Sequence, residues 1–153
     1  MKTVVRMLLG LVLLAASIGK LSNLPGFVAV LHSYRFLPQG WWPAAIIIAL
    51  SELAIGSWLC WGRHLRQAAW TSLWLHAFYA GFSTFMLLRQ VPILNCGCFG
   101  SYLSRPLSWT TVGLNLLLAL LSLLLVRLAC QAPAPPGSGD TRRGSQKNAD
   151  SFF

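Results

Sequence analysis

Cys96 and Cys98 stand one glycine apart in Asn95-Cys96-Gly97-Cys98-Phe99-Gly100, a short polar break between two long apolar runs. Thiols at this spacing meet only if the backbone folds sharply, which Gly97 permits because it has no Cβ to restrict φ. Alternate residues of an extended chain lie near the upper limit of Cα separation for a disulfide, so a Cys96–Cys98 bridge is expected to be easily reduced. That describes a redox couple better than a structural staple. No Asp or Glu occurs between Glu52 and Asp140, whereas Arg89 and Arg105 flank the loop, so the local field should favour thiolate. Two plainer readings stand beside this one. Free cysteine also packs as a small hydrophobe. Structural zinc asks for four ligands, and His32, His64 and His76 are scattered over separate segments, so no metal site is expected.

The elements that must carry this loop are apolar. Of the 153 residues 56% are hydrophobic and only 10% charged, with a mean hydropathy of +0.62, which removes the chain from ordinary soluble domains. The composition predicts an all-α membrane protein, an antiparallel bundle of four transmembrane helices over about 3–21, 41–61, 67–88 and 107–129. The first run also has the basic start and small residues of a cleavable signal peptide. We expect it to be retained, since its removal would take away one wall of the bundle. Phe27, Val30, Leu31 and Tyr34 share one face of a short interfacial helix that follows. A connector anchored by aromatic side chains is preferred there over a lid on the thiol loop. In the third span Ala77 and Gly81 have the small-xxx-small spacing of closely packed helices. Cys60 and Cys130 are expected to be packing residues. The membrane domain covers 1–130, and the Pro- and Gly-rich polar residues 131–153 should form a disordered tail.

Basic residues set the expected orientation. With the N-terminus inside, the inner segments carry Lys2, Arg6, Arg63, Arg66, Arg127, Arg142, Arg143 and Lys147, against Lys20, Arg35, Arg89 and Arg105 outside. This bias favours N-in and C-in, with Cys96 and Cys98 on the outer face, where disulfides persist. The net charge of +9 thus reports topology and the lipid bilayer as partner, not nucleic acid. Glu52 is the one acidic residue of the membrane region. Eleven residues beyond Trp41, it sits about 16 Å deep, where a charge must face inward and be paired or protonated. His76 and Asn115 reach a similar level and are its expected partners, in a polar clasp or a proton site coupled to thiol exchange.

Lys20-Leu21, Tyr34 with Leu37-Pro38, Glu52, Cys96-Gly97-Cys98-Phe99-Gly100 and Arg105-Pro106-Leu107-Ser108-Trp109 together resemble the MauE family of methylamine-utilisation membrane proteins, within the wider DoxX-like group. The resemblance covers about residues 1–130. It implies a four-helix bacterial inner-membrane protein that works with a periplasmic thioredoxin-like partner. The implied client is a disulfide-containing periplasmic protein, the small subunit of methylamine dehydrogenase in dedicated members. Cys96 and Cys98 would then exchange disulfides, with Gly97, Glu52, His76, Lys20, Arg89 and Arg105 in support. Three other functions stay open: an assembly factor that holds a client without using its thiols, a subunit of a quinone-linked oxidoreductase, and a small-solute transporter, which intramembrane Glu52 speaks for and the lack of paired inverted halves speaks against. No cofactor is firmly implied, and a quinone enters only through the more distant DoxX-like relatives.

Overall fold

The computed structural model describes residues 2–34, 42–90, 93, 95–98, 100 and 106–130. Arg35, Leu37, Pro38, Pro92, Phe99, Arg105 and the tail 131–153 lie outside the described residues, and so do the expectations placed on them. The described chain is all helix and loop: α1 Lys2–Ser22, α2 Leu24–Ser33, α3 Trp42–Trp61, α4 Leu65–Leu88 and α5 Trp109–Cys130.

Each long helix coincides with one apolar run, and its buried residues recur at helical spacing. On α1 these are Leu9, Gly10, Leu13, Ala16, Ser17 and Lys20; on α3 they are Ala45, Ala49, Glu52, Ile55, Gly56 and Leu59. The opposite faces carry exposed Leu8, Leu11, Ile47, Leu50, Trp74 and Leu117, an apolar exterior suited to lipid rather than water. Among the described residues α1, α3 and α5 are long and apolar enough to cross a membrane. The 24-residue α4 is more polar, with Arg66, Gln67, Thr71, Ser72 and His76 in its first half. The chain is therefore an all-α, multi-pass membrane protein.

Helix α1 packs chiefly against α3, and α4 chiefly against α5. Where α1 meets α3 the backbones nearly touch: a Cβ on Gly10 would stand 3.1 Å from the Gly56 carbonyl oxygen, and one on Gly56 3.0 Å from that of Gly10. The expected close approach at Ala77 and Gly81 is not found. Ala77 is exposed, and a Cβ on Gly81 would meet nothing within 4 Å, because this face of α4 points out of the bundle. Cys60 packs against Gly10, whereas Cys130 is exposed at the end of α5 and corrects the packing role expected of it. Two apolar clusters fill the interior. One joins Leu9, Leu13, Leu59, Ala68, Leu118 and Leu125; the other joins Phe27, Val28, Tyr34, Ala45, Met86 and Ile93 at the thiol end.

Candidate functional site

Helix α2 starts where Asn23 accepts a hydrogen bond from the Gly26 N–H at 3.0 Å, with Pro25 in the first turn, where its missing N–H costs nothing. This cap directs Phe27, Val30 and Tyr34 inward, onto the thiol loop. A Cβ on Gly97 would stand 2.8 Å from a Val30 methyl and 3.3 Å from the Phe27 ring. The sequence reading preferred a connector here; the structure makes α2 a cover over the loop as well.

The loop is folded by its own polar groups. The Asn95 side chain accepts from the Gly97 N–H at 2.9 Å, Gly97 takes φ +69°, and the Gly100 N–H donates to the Gly97 carbonyl at 3.2 Å. Gly100, at φ +74°, lies against the backbone of α1, where a Cβ would collide with the Gly19 oxygen. At the loop's ends, the Leu107 N–H donates to the Ile93 carbonyl at 3.0 Å. Tyr34 donates to the Cys96 carbonyl at 2.8 Å. Burial, and then the charge of the neighbouring thiols, raises the Tyr34 phenol, so it remains a donor.

The fold brings the Cys96 and Cys98 sulfurs to 3.1 Å, both as half-buried free thiols. With Cys96 ionised, Cys98 keeps its proton and is the donor to it. That bond lowers the Cys96 thiol from 9.0 to about 6, helped by the Cys98 backbone and the Thr111 hydroxyl and opposed by burial. The same bond, together with burial and the Cys96 charge, pushes Cys98 up. The two thiols are thus unequal. The causes are local hydrogen bonds; of the two arginines expected to favour thiolate, Arg105 lies outside the described residues. The Arg89 guanidinium lies 4.8 Å over the Phe85 ring.

Among the described residues the cation at this site is Lys20. Its ammonium donates to Glu52 Oε2 at 2.6 Å and to the Cys98 carbonyl at 2.7 Å, and lies 5.6 Å from the Phe27 centroid. Lys20 and Glu52 are 3% and 1% exposed, which makes this a fully buried ion pair. The Tyr79 hydroxyl donates to Glu52 Oε1 at 2.6 Å. Glu52 is inward and paired, as its depth demanded, but its bonds go to Lys20 and Tyr79 instead of His76 and Asn115. His76 contacts the Ser72 carbonyl at 2.8 Å and the Ser72 hydroxyl at 3.4 Å, and Asn115 donates to the Thr111 carbonyl at 2.9 Å. Sequence reasoning missed Tyr79 and Thr111 as site residues, and gave Tyr34 an apolar face and a part in the family resemblance but no role at the thiols. Tyr79 is one turn past His76 on α4, a difference that counting depth by residue does not separate.

Thiols and ion pair share one cavity of about 250 Å³, walled by Phe27, Tyr34, Phe78, Phe82, Cys96 and Cys98, with Lys20, Glu52 and Asn115 also on its lining. The Tyr34 and Phe82 rings are 5.3 Å apart, and Phe78 stacks on Phe82 at 6.2 Å. Among the described residues no three His, Cys, Asp or Glu side chains gather as metal ligands would. The site can therefore do thiol chemistry beside an aromatic-walled cavity.

Residues 1–128 match the family model described as methylamine utilisation protein MauE. The chain is 30% identical over 138 residues to methylamine utilization protein MauE of Paracoccus denitrificans, covering 89% of this chain and 74% of the relative. It is 32% identical over 135 residues to the protein of the same name from Methylorubrum extorquens, covering 86% and 72%. No solved structure matches. A dithiol loop held against a multi-pass helical bundle, in a chain matched over most of its length by these sequences, makes the protein a member of the MauE family.

Proposed function

We propose that this protein is a membrane thiol–disulfide exchange protein in which Cys96 attacks and Cys98 resolves. The observation that carries the reading is the unequal pair: sulfurs 3.1 Å apart, with the Cys96 thiol lowered to about 6. The Cys96 thiolate attacks a disulfide of a thioredoxin-like partner; a Cys96–partner bond forms, and one partner sulfur leaves as thiolate. Cys98 then loses its proton and attacks the Cys96 sulfur, releasing the second partner thiolate. The partner gains two electrons and takes up two protons, and Cys96–Cys98 is left as the disulfide. The reverse sequence oxidises a partner by the same steps.

Four spans, N-in and C-in, with the thiols on the periplasmic face of a bacterial inner membrane, suit this role. Lys20 is buried in an ion pair and so drops out of the basic residues that mark orientation, which leaves Arg35, Arg89 and Arg105 on the outer side and strengthens the bias. The clients would be disulfide-containing periplasmic proteins, the small subunit of methylamine dehydrogenase among them as the family resemblance implies. The reading is tested by capture. Cys98→Ser should accumulate a mixed disulfide through Cys96 to a thioredoxin-like protein, released by dithiothreitol and absent when Cys96 is also Ser. If no adduct forms and both single serine variants mature the client fully, the protein is an assembly factor that does not use its thiols.

The cavity favours a second reading. Its aromatic walls beside the dithiol suit the ring of a quinone, which when bound would accept the two electrons and two protons of Cys96 and Cys98. A short-chain quinone analogue should then slow alkylation of both cysteines at saturating concentration; unchanged alkylation rates remove this reading.

A further inference from the structure

A buried ion pair that only joined α1 to α3 would need no contact with the thiol loop. Lys20 has one, its 2.7 Å bond to the Cys98 carbonyl. Next to it, Gly100 presses on the backbone of Gly19, so the loop is seated on the last turns of α1 at two successive residues. Glu52 on α3 holds the ammonium in place and is itself held by the Tyr79 hydroxyl on α4. We propose that Lys20 is a positioning residue for the resolving thiol: it fixes the backbone of Cys98 and supplies the positive charge that the Cys98 thiolate needs when it attacks the mixed disulfide. This rests on the exchange reading given above.

In the resting dithiol, Cys98 is held up by the bond it donates to Cys96, by burial and by the Cys96 charge, while Lys20 pulls it down and Glu52 pushes it up. When Cys96 enters a mixed disulfide, its charge is gone and its sulfur no longer holds the Cys98 proton so firmly. The ammonium then becomes the main influence favouring the Cys98 thiolate. In the step itself the Cys98 S–H bond breaks, a Cys98–Cys96 bond forms, the Cys96–partner bond breaks and the partner thiolate takes up a proton. Among the described residues the titratable groups around Cys98 are Lys20 from α1, Glu52 from α3, Tyr79 from α4, Tyr34 at the end of α2 and Cys96 on the loop.

The test places Cys98 alone, in a Cys96→Ala background, and reads its alkylation by iodoacetamide against pH by peptide mass spectrometry. Adding Lys20→Met with Glu52→Gln removes the charge without stranding its partner. The midpoint should rise, with about tenfold slower reaction at pH 7 for each unit of rise. Glu52→Gln alone keeps a hydrogen-bonding partner for Lys20 and frees its charge, so the midpoint should fall and the reaction quicken. A merely structural clasp would not move the two variants in opposite directions. Unchanged profiles in folded protein, shifts of the same sign, or loss of the fold in both variants each overturn the proposal. The assay involves no partner protein. Failure of mixed-disulfide capture with opposite shifts intact therefore removes the exchange reading alone, while capture with unchanged shifts removes the role of Lys20 alone.

Discussion

His76 and Glu52 are both buried polar residues of long helices, yet His76 bonds within α4, to Ser72 four residues back, while both bonds of Glu52 cross the bundle. The His76 cluster reaches a second helix once, through the 3.0 Å contact of the Ser72 and Ser122 hydroxyls, and the Ser122 hydroxyl also donates within α5 to Leu118. Bonds of this kind exist in each helix before it packs. The Glu52 cluster exists only in the assembled protein, since it joins residues 32, 27 and 78 apart in sequence across α1, α3, α4 and the thiol loop. Local bonds satisfy a polar side chain wherever its helix goes. Long-range bonds dictate where other elements go, and here they seat the reactive loop.

The sharpest way to break this contrast is to strand a charge. Glu52→Leu leaves Lys20 buried without its counter-ion and should lower stability by about 3–5 kcal/mol, measured by thermal unfolding in detergent. His76→Leu leaves no charge behind and should cost well under half of that. Equal losses would mean that the two clusters do the same job. A smaller effect is expected at the loop's seat. Gly100→Ala imposes a left-handed conformation costing about 1–2 kcal/mol and drives a Cβ against the Gly19 carbonyl. It should loosen the loop and speed alkylation of Cys98. Gly81→Ala is its control: with open space around it, the alanine should stabilise α4 by about 0.5–1 kcal/mol. The least effect belongs to Ser122→Ala, which removes one hydroxyl contact between α4 and α5 and should cost about 0.6 kcal/mol.

The same contrast separates what could be read in the sequence from what could not. Apolar runs ended by Trp, Gly and Pro mark the helices, because bilayer thickness and backbone satisfaction leave little choice of element. Cys96-Gly97-Cys98 marks the reactive loop, because the two sulfurs and the glycine between them form one local unit. The inward orientation of Glu52 follows from its depth. Its partner does not, since pairing depends on which helices pack and how they are rotated. Lys20 looked like a surface cation at a helix end, and only the seating of the loop over the end of α1 shows it to be interior. Ala77 and Gly81 carry the right spacing on the wrong face. The contact that matters is made by single glycines on two helices, Gly10 and Gly56, and a single glycine has no spacing to detect.

The inequality of the two thiols is read most directly by the pH dependence of Cys96 alkylation in native membranes. The thiolate fraction rises with pH, so a thiol at about 6 should reach half-maximal reactivity near that pH. Cys98→Ala removes the main donor to Cys96 and should move the midpoint up toward the ordinary thiol value of 9.0. A midpoint already near 9.0 in the unaltered protein, or one near 6 that Cys98→Ala leaves in place, would contradict the account.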